Sequence, residues 1–332
     1  MGIVEAILLT VITAATPLVI AALGELITER SGVLNLGVEG MMIMGAACAF
    51  VATQLTGSPY IGILAGIASG ALFSLLFGFL TLTLVANQVA TGLALTILGL
   101  GVSGMIGEPY VGQSGTKLPQ IVFPLLADIA YLGPLLFKQD LIFYLSIALV
   151  VGVNWFLFKS RAGLMLRSVG DSHSSAHALG INVIRTRYLA VMFGGACAGL
   201  AGAQLSLVYT PQWVENMSAG RGWIALALVV FASWRPWRVV VGGYLFGAVT
   251  IAQLHLQAFD LEAFLHSILS LSSDSMSQTL LNIVVGALKT PQFLSALPYL
   301  ATIAVLIVIS HNRRTTLINT PASLGKSFVP DR

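Results

Sequence analysis

Two short stretches have the residue types and spacing of chemical sites, and neither is completed by the rest of the chain. His173 and His177 are four residues apart and would share a helix face, but no third metal ligand lies nearby. Gly325-Lys326-Ser327 matches the end of a phosphate-binding loop, yet Thr320 stands where the motif needs its first glycine. The histidines therefore indicate an exposed polar helix, and we predict no metal site and no nucleotide-binding loop in this chain.

A third motif, Gly99 to Gly104, has the G-x-G-x-x-G spacing of a dinucleotide site, but it lies inside an apolar run without a preceding strand. It indicates helix packing. An intramembrane enzyme would need a nucleophile with a base, or several metal ligands, within the apolar runs. Apart from His255, the histidines fall in loops or at the end of a run, and no paired carboxylates occur in mid-run. We predict that the chain is not an enzyme.

The elements that position these residues are predicted to be membrane helices. Of the 332 residues, 57% are hydrophobic and only 9% are charged, against roughly 25% charged in soluble domains. Apolar runs of about 20 residues, the length that crosses a bilayer as a helix, recur along the chain. Cys48 and Cys197 lie inside such runs and are expected to act as small hydrophobic residues. The first run lacks a basic start and a cleavage site, and is expected to be a retained span.

The sequence therefore predicts an all-α integral membrane protein with nine or ten transmembrane helices. The predicted spans are 3–24, 41–56, 60–85, 91–107, 141–158, 189–209, 222–233, 239–258 and 297–310. Residues 1–332 are predicted to form a single transmembrane domain, with a cytoplasmic loop at 159–188, an outward loop at 259–292 and a cytoplasmic tail at 311–332. Glycine pairs spaced by four, at 66/70, 195/199 and 243/247, are typical of close helix contacts.

Orientation follows from the basic residues, because cytoplasmic loops near span ends retain Lys and Arg. If the 159–188 loop is inside, alternation places twelve basic residues inside and four outside. The inside set is Arg30, Lys159, Arg161, Arg167, Arg185, Arg187, Arg235, Arg238, Arg313, Arg314, Lys326 and Arg332, and the outside set is Lys117, Lys138, Arg221 and Lys289. The N-terminus is then predicted to lie outside.

Three segments break the pattern of simple spans: the polar, glycine-rich stretch 31–40, the stretch 87–92, and the short run 222–233. Irregular backbone at membrane depth is tolerated only where protein buries it or a water-filled cavity meets it. We predict that these breaks line a pathway. On the inner side, a short polar helix lies between two basic flanks in the 159–188 loop, and it is either a rigid knob that transmits force or an ordinary solvated loop.

The run Glu29-Arg-Ser-Gly-Val-Leu-Asn-Leu-Gly-Val-Glu-Gly-Met-Met42 resembles the signature of permease subunits of bacterial ABC importers for nucleosides and simple sugars. Further stretches resemble the same branch, in the expected order: 87–94, 180–183 with Arg187-Tyr188, 209–216, 219–225 and 321–326. The resemblance is greater to the nucleoside permeases than to the ribose, galactose or branched-chain amino-acid permeases. It implies nucleoside uptake, with simple-sugar or branched-chain amino-acid uptake as alternatives and an ion-coupled secondary transporter as the rival class.

The resemblance also implies partners. Two permease subunits, identical or different, form one pathway in the bacterial cytoplasmic (inner) membrane. A cytosolic ATPase pair binds the ATP, a substrate-binding lipoprotein lies outside, and the chain itself needs no cofactor and binds no nucleic acid. The 170–182 helix would seat in a groove of the ATPase, with Asp171, His173, Ala176, Leu179 and Gly180 as contacts. This helix departs from the family, whose coupling helices are rich in alanine and acidic residues, and the segment 259–292 is longer than the family pattern.

A nucleoside pathway needs neutral hydrogen-bonding groups, because ribose and base carry no fixed charge. The candidates are Asn35, Asn87, Gln88, Thr91 and Gln204, with Glu39 shaping a gate. Each could instead satisfy the backbone of a broken helix. The predicted docking site for the binding protein consists of Trp213, Glu215, Asn216, Arg221 and Trp223, although tryptophans at this depth also serve as membrane anchors.

Overall fold

The computed structural model describes residues 3–258 apart from 125, 128, 130 and 131, scattered positions between 290 and 307, and residues 319–329. Within these ranges, seven helices are long and apolar enough to cross a membrane. They are α1 (Ile3–Arg30), α2 (Val38–Thr56), α3 (Pro59–Gly78), α4 (Gln88–Gly107), α6 (Leu141–Lys159), α9 (Val183–Gln204) and α11 (Pro236–Ala258). The prediction of a helical membrane protein is confirmed.

In the described part of the chain, four shorter helices connect these spans: α5 (Leu132–Phe137), α7 (Arg161–Asp171), α8 (His173–Ala178) and α10 (Arg221–Phe231). Single π-helical turns at Phe79–Thr83 and Leu205–Tyr209 extend α3 and α9, and a 3-10 turn at Glu108–Tyr110 follows α4. Between α4 and α6, β1 (Gln120–Val122) pairs antiparallel with β2 (Lys138–Asp140), with Ile121 opposite Gln139. The two strands were not predicted, because three residues are too few to show a period of two.

Seven of the nine predicted spans correspond to the seven long helices, and the predicted span 222–233 corresponds to α10. With 11 residues, α10 is about 16 Å long and cannot cross a bilayer alone. The predicted breaks at 31–40 and before α4 are also present, since the chain is non-helical from 31 to 37 and from 84 to 87. Most of the ninth predicted span, 297–310, and the predicted outward loop 259–292 lie outside the described residues.

The buried centre consists of α1, α2 and α9, and α3 packs directly against α2 and α9. Glycines bring these backbones together. A Cβ at Gly199 would overlap the carbonyl oxygen of Gly66, and a Cβ at Gly70 would overlap that of Gly195, so the predicted pairs 66/70 and 195/199 face each other between α3 and α9. The third pair, Gly243 and Gly247, faces Val19 and Ala15 of α1 in the same way.

One end of the bundle gathers the predicted inside segments, and we refer to it as the coupling end. Arg30 at the end of α1 donates a hydrogen bond to the Trp234 carbonyl in the 234–238 turn, and Arg187 near the start of α9 donates to the Lys326 carbonyl. Ser323 in the tail donates to the carbonyl of Gly170 in α7. At the opposite end, which we refer to as the far end, Gln54 of α2 donates to the Ser114 carbonyl.

Candidate functional site: a carboxylate-bridged helix break and the coupling end

The break between α1 and α2 is held by side chains that replace the missing helical hydrogen bonds. The amide of Leu34 donates to Gln88 Oε1 at 2.8 Å, and the amide of Asn35 donates to Glu25 Oε1 at 3.1 Å. The Asn35 side chain accepts from the amide of Gly37 at 2.9 Å. Two residues predicted for the substrate pathway, Asn35 and Gln88, are thus buried and bonded to the backbone of the break.

Glu39 lies one residue into α2 and is only 3% exposed. Its carboxylate accepts three hydrogen bonds: from the Ser218 hydroxyl at 2.5 Å and from the amides of Gly220 and Gly222 at 2.8 and 2.6 Å. The two amides lie at the N-terminus of α10, whose unpaired N–H groups favour a negative charge. A buried carboxylate needs such compensation, so Glu39 fastens the start of α2 to the start of α10.

Gly222 makes this contact close. A Cβ there would lie 2.6 Å from the Glu39 Cα, and the α10 N-terminus could not approach the carboxylate. From the shared point, α2 runs towards the far end and α10 runs towards the coupling end, where Trp234 follows it. Transporters commonly place the N-termini of broken helices at their substrate site. The arrangement therefore provides a charged link between two helices that start inside the bundle and run in opposite directions.

The other pathway candidates are distributed differently. Gln204 is fully buried and donates from Nε2 to the carbonyl of Thr13 in α1 at 3.2 Å. Asn87 is exposed and caps α4 by accepting from the amide of Ala90, and Thr91 is half-exposed one turn later on the same face. A cavity of about 640 Å³ lies between α1, α6, α7 and α9, lined by apolar side chains such as Leu149 and Phe193 and by none of the six candidates.

The residues predicted to meet a binding protein lie in the segment before α10 and in the first turn of α10. Trp213 is 1% exposed and packs with Phe50 and other buried residues of α2, so it anchors the segment from within. The Arg221 guanidinium lies 4.9 Å from the centre of the Tyr209 ring and donates to the Met217 carbonyl. Trp223 packs half-buried against the core. Glu215 and Asn216 are the two predicted docking residues with exposed side chains.

Two buried arginines organise the coupling end, and the sequence analysis gave them no role beyond their charge. Arg30 donates to the carbonyls of Trp234 and Asn319, both at 3.0 Å. Arg187, 1% exposed, donates to the carbonyls of Ser31 and Lys326 at 3.2 and 3.1 Å. Ser31 directly follows α1, and carbonyls at the C-terminal end of a helix lack intrahelical partners and attract cations. The position of Arg30 at the end of an apolar run was the sequence signal that could have indicated this role.

The structure has two helices, α7 and α8, where one helix over 170–182 was predicted, and we refer to these two helices as the coupling segment. Ser160 caps α7 by accepting from the Gly163 amide at 2.9 Å, and Ser172 caps α8 by accepting from Ser175 at 3.3 Å. Of the five predicted ATPase contacts, Asp171, Leu179 and Gly180 are exposed, His173 is half-exposed and Ala176 is buried. Leu179 is 80% exposed at the tip, just before Gly180 turns the chain with φ +81°. An exposed leucine on a capped short helix is well suited to contact a partner.

The Phe328 ring of the tail packs against both histidines of α8, with its centroid 5.3 Å from the His173 ring and 5.3 Å from the His177 ring. Burial, and then the positive charges of Arg187 and Lys326, lower the pKa of His173. The residue is therefore held neutral next to the tail at neutral pH.

This shift predicts an acid-sensitive contact. A histidine whose pKa is lowered in the folded state supports that state above its unfolded pKa and destabilises it as the pH falls below that value. We expect hydrogen exchange in α8 and in 321–328, corrected for intrinsic rates, to be faster at about pH 5.5 than at about pH 7.5. The His173→Gln variant should lose this difference; an equal difference in the variant would exclude His173 as its cause.

The chain belongs to the family described as the permease component of the branched-chain amino acid transport system, which matches residues 7–288. It is thus a permease subunit of an ABC importer, a membrane component that works with separate ATPase and binding-protein subunits, and it is not itself an enzyme. The resemblance stated from the 29–42 signature is confirmed.

Among its relatives, a provisionally named glucose ABC transporter permease of Haloferax volcanii is 42% identical over 96% of this chain and 95% of its own length. A guanosine ABC transporter permease of Bacillus subtilis is 36% identical over 70% of this chain and 77% of its own. A nucleoside ABC transporter permease of Lactococcus lactis is 32% identical over 71% and 78%. No solved structure matches the chain.

Proposed function

We propose that this chain forms one half of the pathway for nucleoside uptake, paired with a second permease subunit in the cytoplasmic membrane. The observation that carries the proposal is the Glu39 bridge, which joins two broken helices inside the bundle. Two of the relatives described above, from different organisms, are named for guanosine or nucleoside transport. The polar side chains on the exposed face of α4, Asn87 and Thr91, are neutral, as a solute with hydroxyl groups and a base edge requires.

The same contacts support a route for force. The ATPase pair would push on α8, whose buried Ala176 packs with Val183 at the start of α9. One turn further along α9, Arg187 donates to the Ser31 carbonyl in the break. The break is followed by α2, whose Glu39 accepts hydrogen bonds from the N-terminus of α10. Closure of the ATPase pair would thus move α9 and the break together, and would shift the bridged N-termini of α2 and α10 between two orientations.

Glucose is the second candidate substrate, because the Haloferax volcanii relative is 42% identical over nearly the whole chain. Both substrates present neutral hydroxyl groups, so the pathway chemistry proposed above serves either one. A nucleoside adds a base that could stack on apolar or aromatic surface. The two candidates share one transport mechanism and differ in the solute that the binding protein delivers.

The test is ATP-dependent uptake by the reconstituted complex of both permease subunits, the ATPase and the binding protein. We expect labelled purine or pyrimidine nucleosides to accumulate, and unlabelled glucose, ribose and leucine not to compete. If labelled glucose accumulates and labelled nucleosides do not, glucose is the substrate and the ATP-driven mechanism stands. Uptake that follows an ion gradient without ATP would contradict the proposed mechanism.

Leu179 provides a test of the ATPase contact. We expect Leu179→Asp to weaken binding of the ATPase at least about tenfold, because a charge would enter the apolar centre of the contact. Leu179→Met at the same position should bind like the wild type. The measurement is co-purification of the ATPase with tagged permease from detergent extracts, at equal permease recovery. Equal ATPase recovery with both variants would remove Leu179 from the interface.

A further inference from the structure

The C-terminal segment 319–329 returns to the coupling end and lies across it. The Ser323 amide donates to the Gly170 carbonyl in α7 at 2.8 Å, and the Gly325 amide donates to the Gly32 carbonyl after α1 at 3.1 Å. The Ser323 hydroxyl adds a bond to the Asp171 carbonyl at 3.3 Å. The segment is therefore attached at once to the coupling segment and to the helix break.

Buried cations hold the same segment. Arg30 bonds to the Asn319 carbonyl and Arg187 to the Lys326 carbonyl, and each guanidinium also bonds to the bundle, at Trp234 and at Ser31. A guanidinium with its donors fixed in a plane can join two carbonyls in a defined geometry. Because the charges are buried, loss of the tail carbonyls would leave donors unsatisfied. The two arginines thus tie the tail to α1, α9 and the turn after α10.

The last contact is with α8. Phe328 packs against His173 and His177 and against the small buried cluster of Val169, Ala176 and Val183. With six residues, α8 is far shorter than a helix that is stable alone. It therefore needs contacts with other parts of the protein to stay helical when the ATPase pushes on it. The tail supplies such contacts on the side of the two histidines.

We propose that residues 319–329 form a strap that keeps α8 rigid against α1 and α9, so that movement of the ATPase displaces the spans instead of bending α8. This inference rests on the proposed contact between α8 and the ATPase. The strap is a positioning element: Phe328 holds α8, and Arg30 and Arg187 hold the strap.

The first test compares Phe328→Ala with Val329→Ala, whose side chain is 63% exposed. In the reconstituted complex, we expect Phe328→Ala to keep ATP hydrolysis within about twofold while substrate transported per ATP falls about tenfold. Val329→Ala should leave this ratio unchanged, and Phe328→Tyr, which keeps the ring, should restore it. A wild-type ratio in Phe328→Ala would overturn the strap.

The second test does not depend on transport. Hydrogen exchange in α8 of the isolated permease should be about tenfold faster in Phe328→Ala than in Val329→Ala, and faster still in a chain that ends at Thr320. Unchanged exchange in both the point variant and the truncated chain would overturn the strap whatever the substrate is. If exchange rises but the wild-type complex binds no ATPase, the strap stands and the proposed function of α8 fails.

Discussion

Glu39→Gln is expected to reduce ATP-dependent uptake at least about tenfold while the protein still inserts and binds the ATPase. The carboxylate accepts from Ser218, Gly220 and Gly222. An amide keeps one acceptor oxygen but turns an N–H₂ group towards a backbone N–H, so one buried donor is left unpaired. Hydrogen bonds to a charged group contribute about 1.5–3 kcal/mol each, and 1.4 kcal/mol corresponds to a factor of ten.

The matched control is Glu108→Gln, because Glu108 is an exposed carboxylate at the end of α4. Both variants remove one negative charge, and only one of them removes the bridge. ATPase co-purification should be normal for Glu39→Gln, since α7, α8 and the tail contact one another at the coupling end without Glu39. Wild-type uptake by Glu39→Gln would show that the bridge has no part in transport. Parallel losses in both variants would show that charge alone matters.

Helix breaks were readable from the sequence, whereas the partners of their polar groups were not. A stretch with three glycines and an asparagine between apolar runs cannot remain a lipid-facing helix, and 31–40 does break. The partners come from distant positions, however: Glu39 bonds to residues about 180 positions away, and Arg187 to Ser31. No local period in the sequence records such pairs, so Glu39 and the segment around Trp213 were assigned to different sites although the structure joins them at Ser218.

Burial was the other quantity that residue type could not supply. Asn35, Gln204 and Trp213 were chosen for their chemistry, and all three are buried with roles inside the protein. Leu179 was chosen only as part of a helix, and its exposure is what makes it a good partner contact. The tail was recognised as a stretch similar to the family, but its attachment to Arg30 and Arg187 uses the carbonyls of Asn319 and Lys326, which any residue type could provide.

The second large effect is expected at the crossing of α3 and α9. In Gly199→Ala, the new methyl would overlap the Gly66 carbonyl oxygen, and the Gly70 Cα lies within 3.1 Å. Both neighbours are backbone atoms and cannot rotate away, so the two helices must separate. Overpacking of this kind costs about 1–3 kcal/mol. Separation of the helices would also disturb the contact between Gly45 of α2 and Gly199 of α9. We expect several-fold less folded protein in detergent extracts.

Gly101→Ala and Gly152→Ala are the controls for this effect. Both glycines lie in long apolar helices, α4 and α6, and no described atom lies within 4 Å of a Cβ added at either position. Alanine there adds the same methyl group without a clash and favours the helix slightly. The measurement is the monodisperse peak of the permease on size exclusion after extraction, with total expression as the reference. If Gly199→Ala gives the same peak as the two controls, the close approach of α3, α2 and α9 does not limit folding. If Gly199→Ala alone loses the peak, backbone contact at these glycines holds together the helices that carry Glu39 and Arg187.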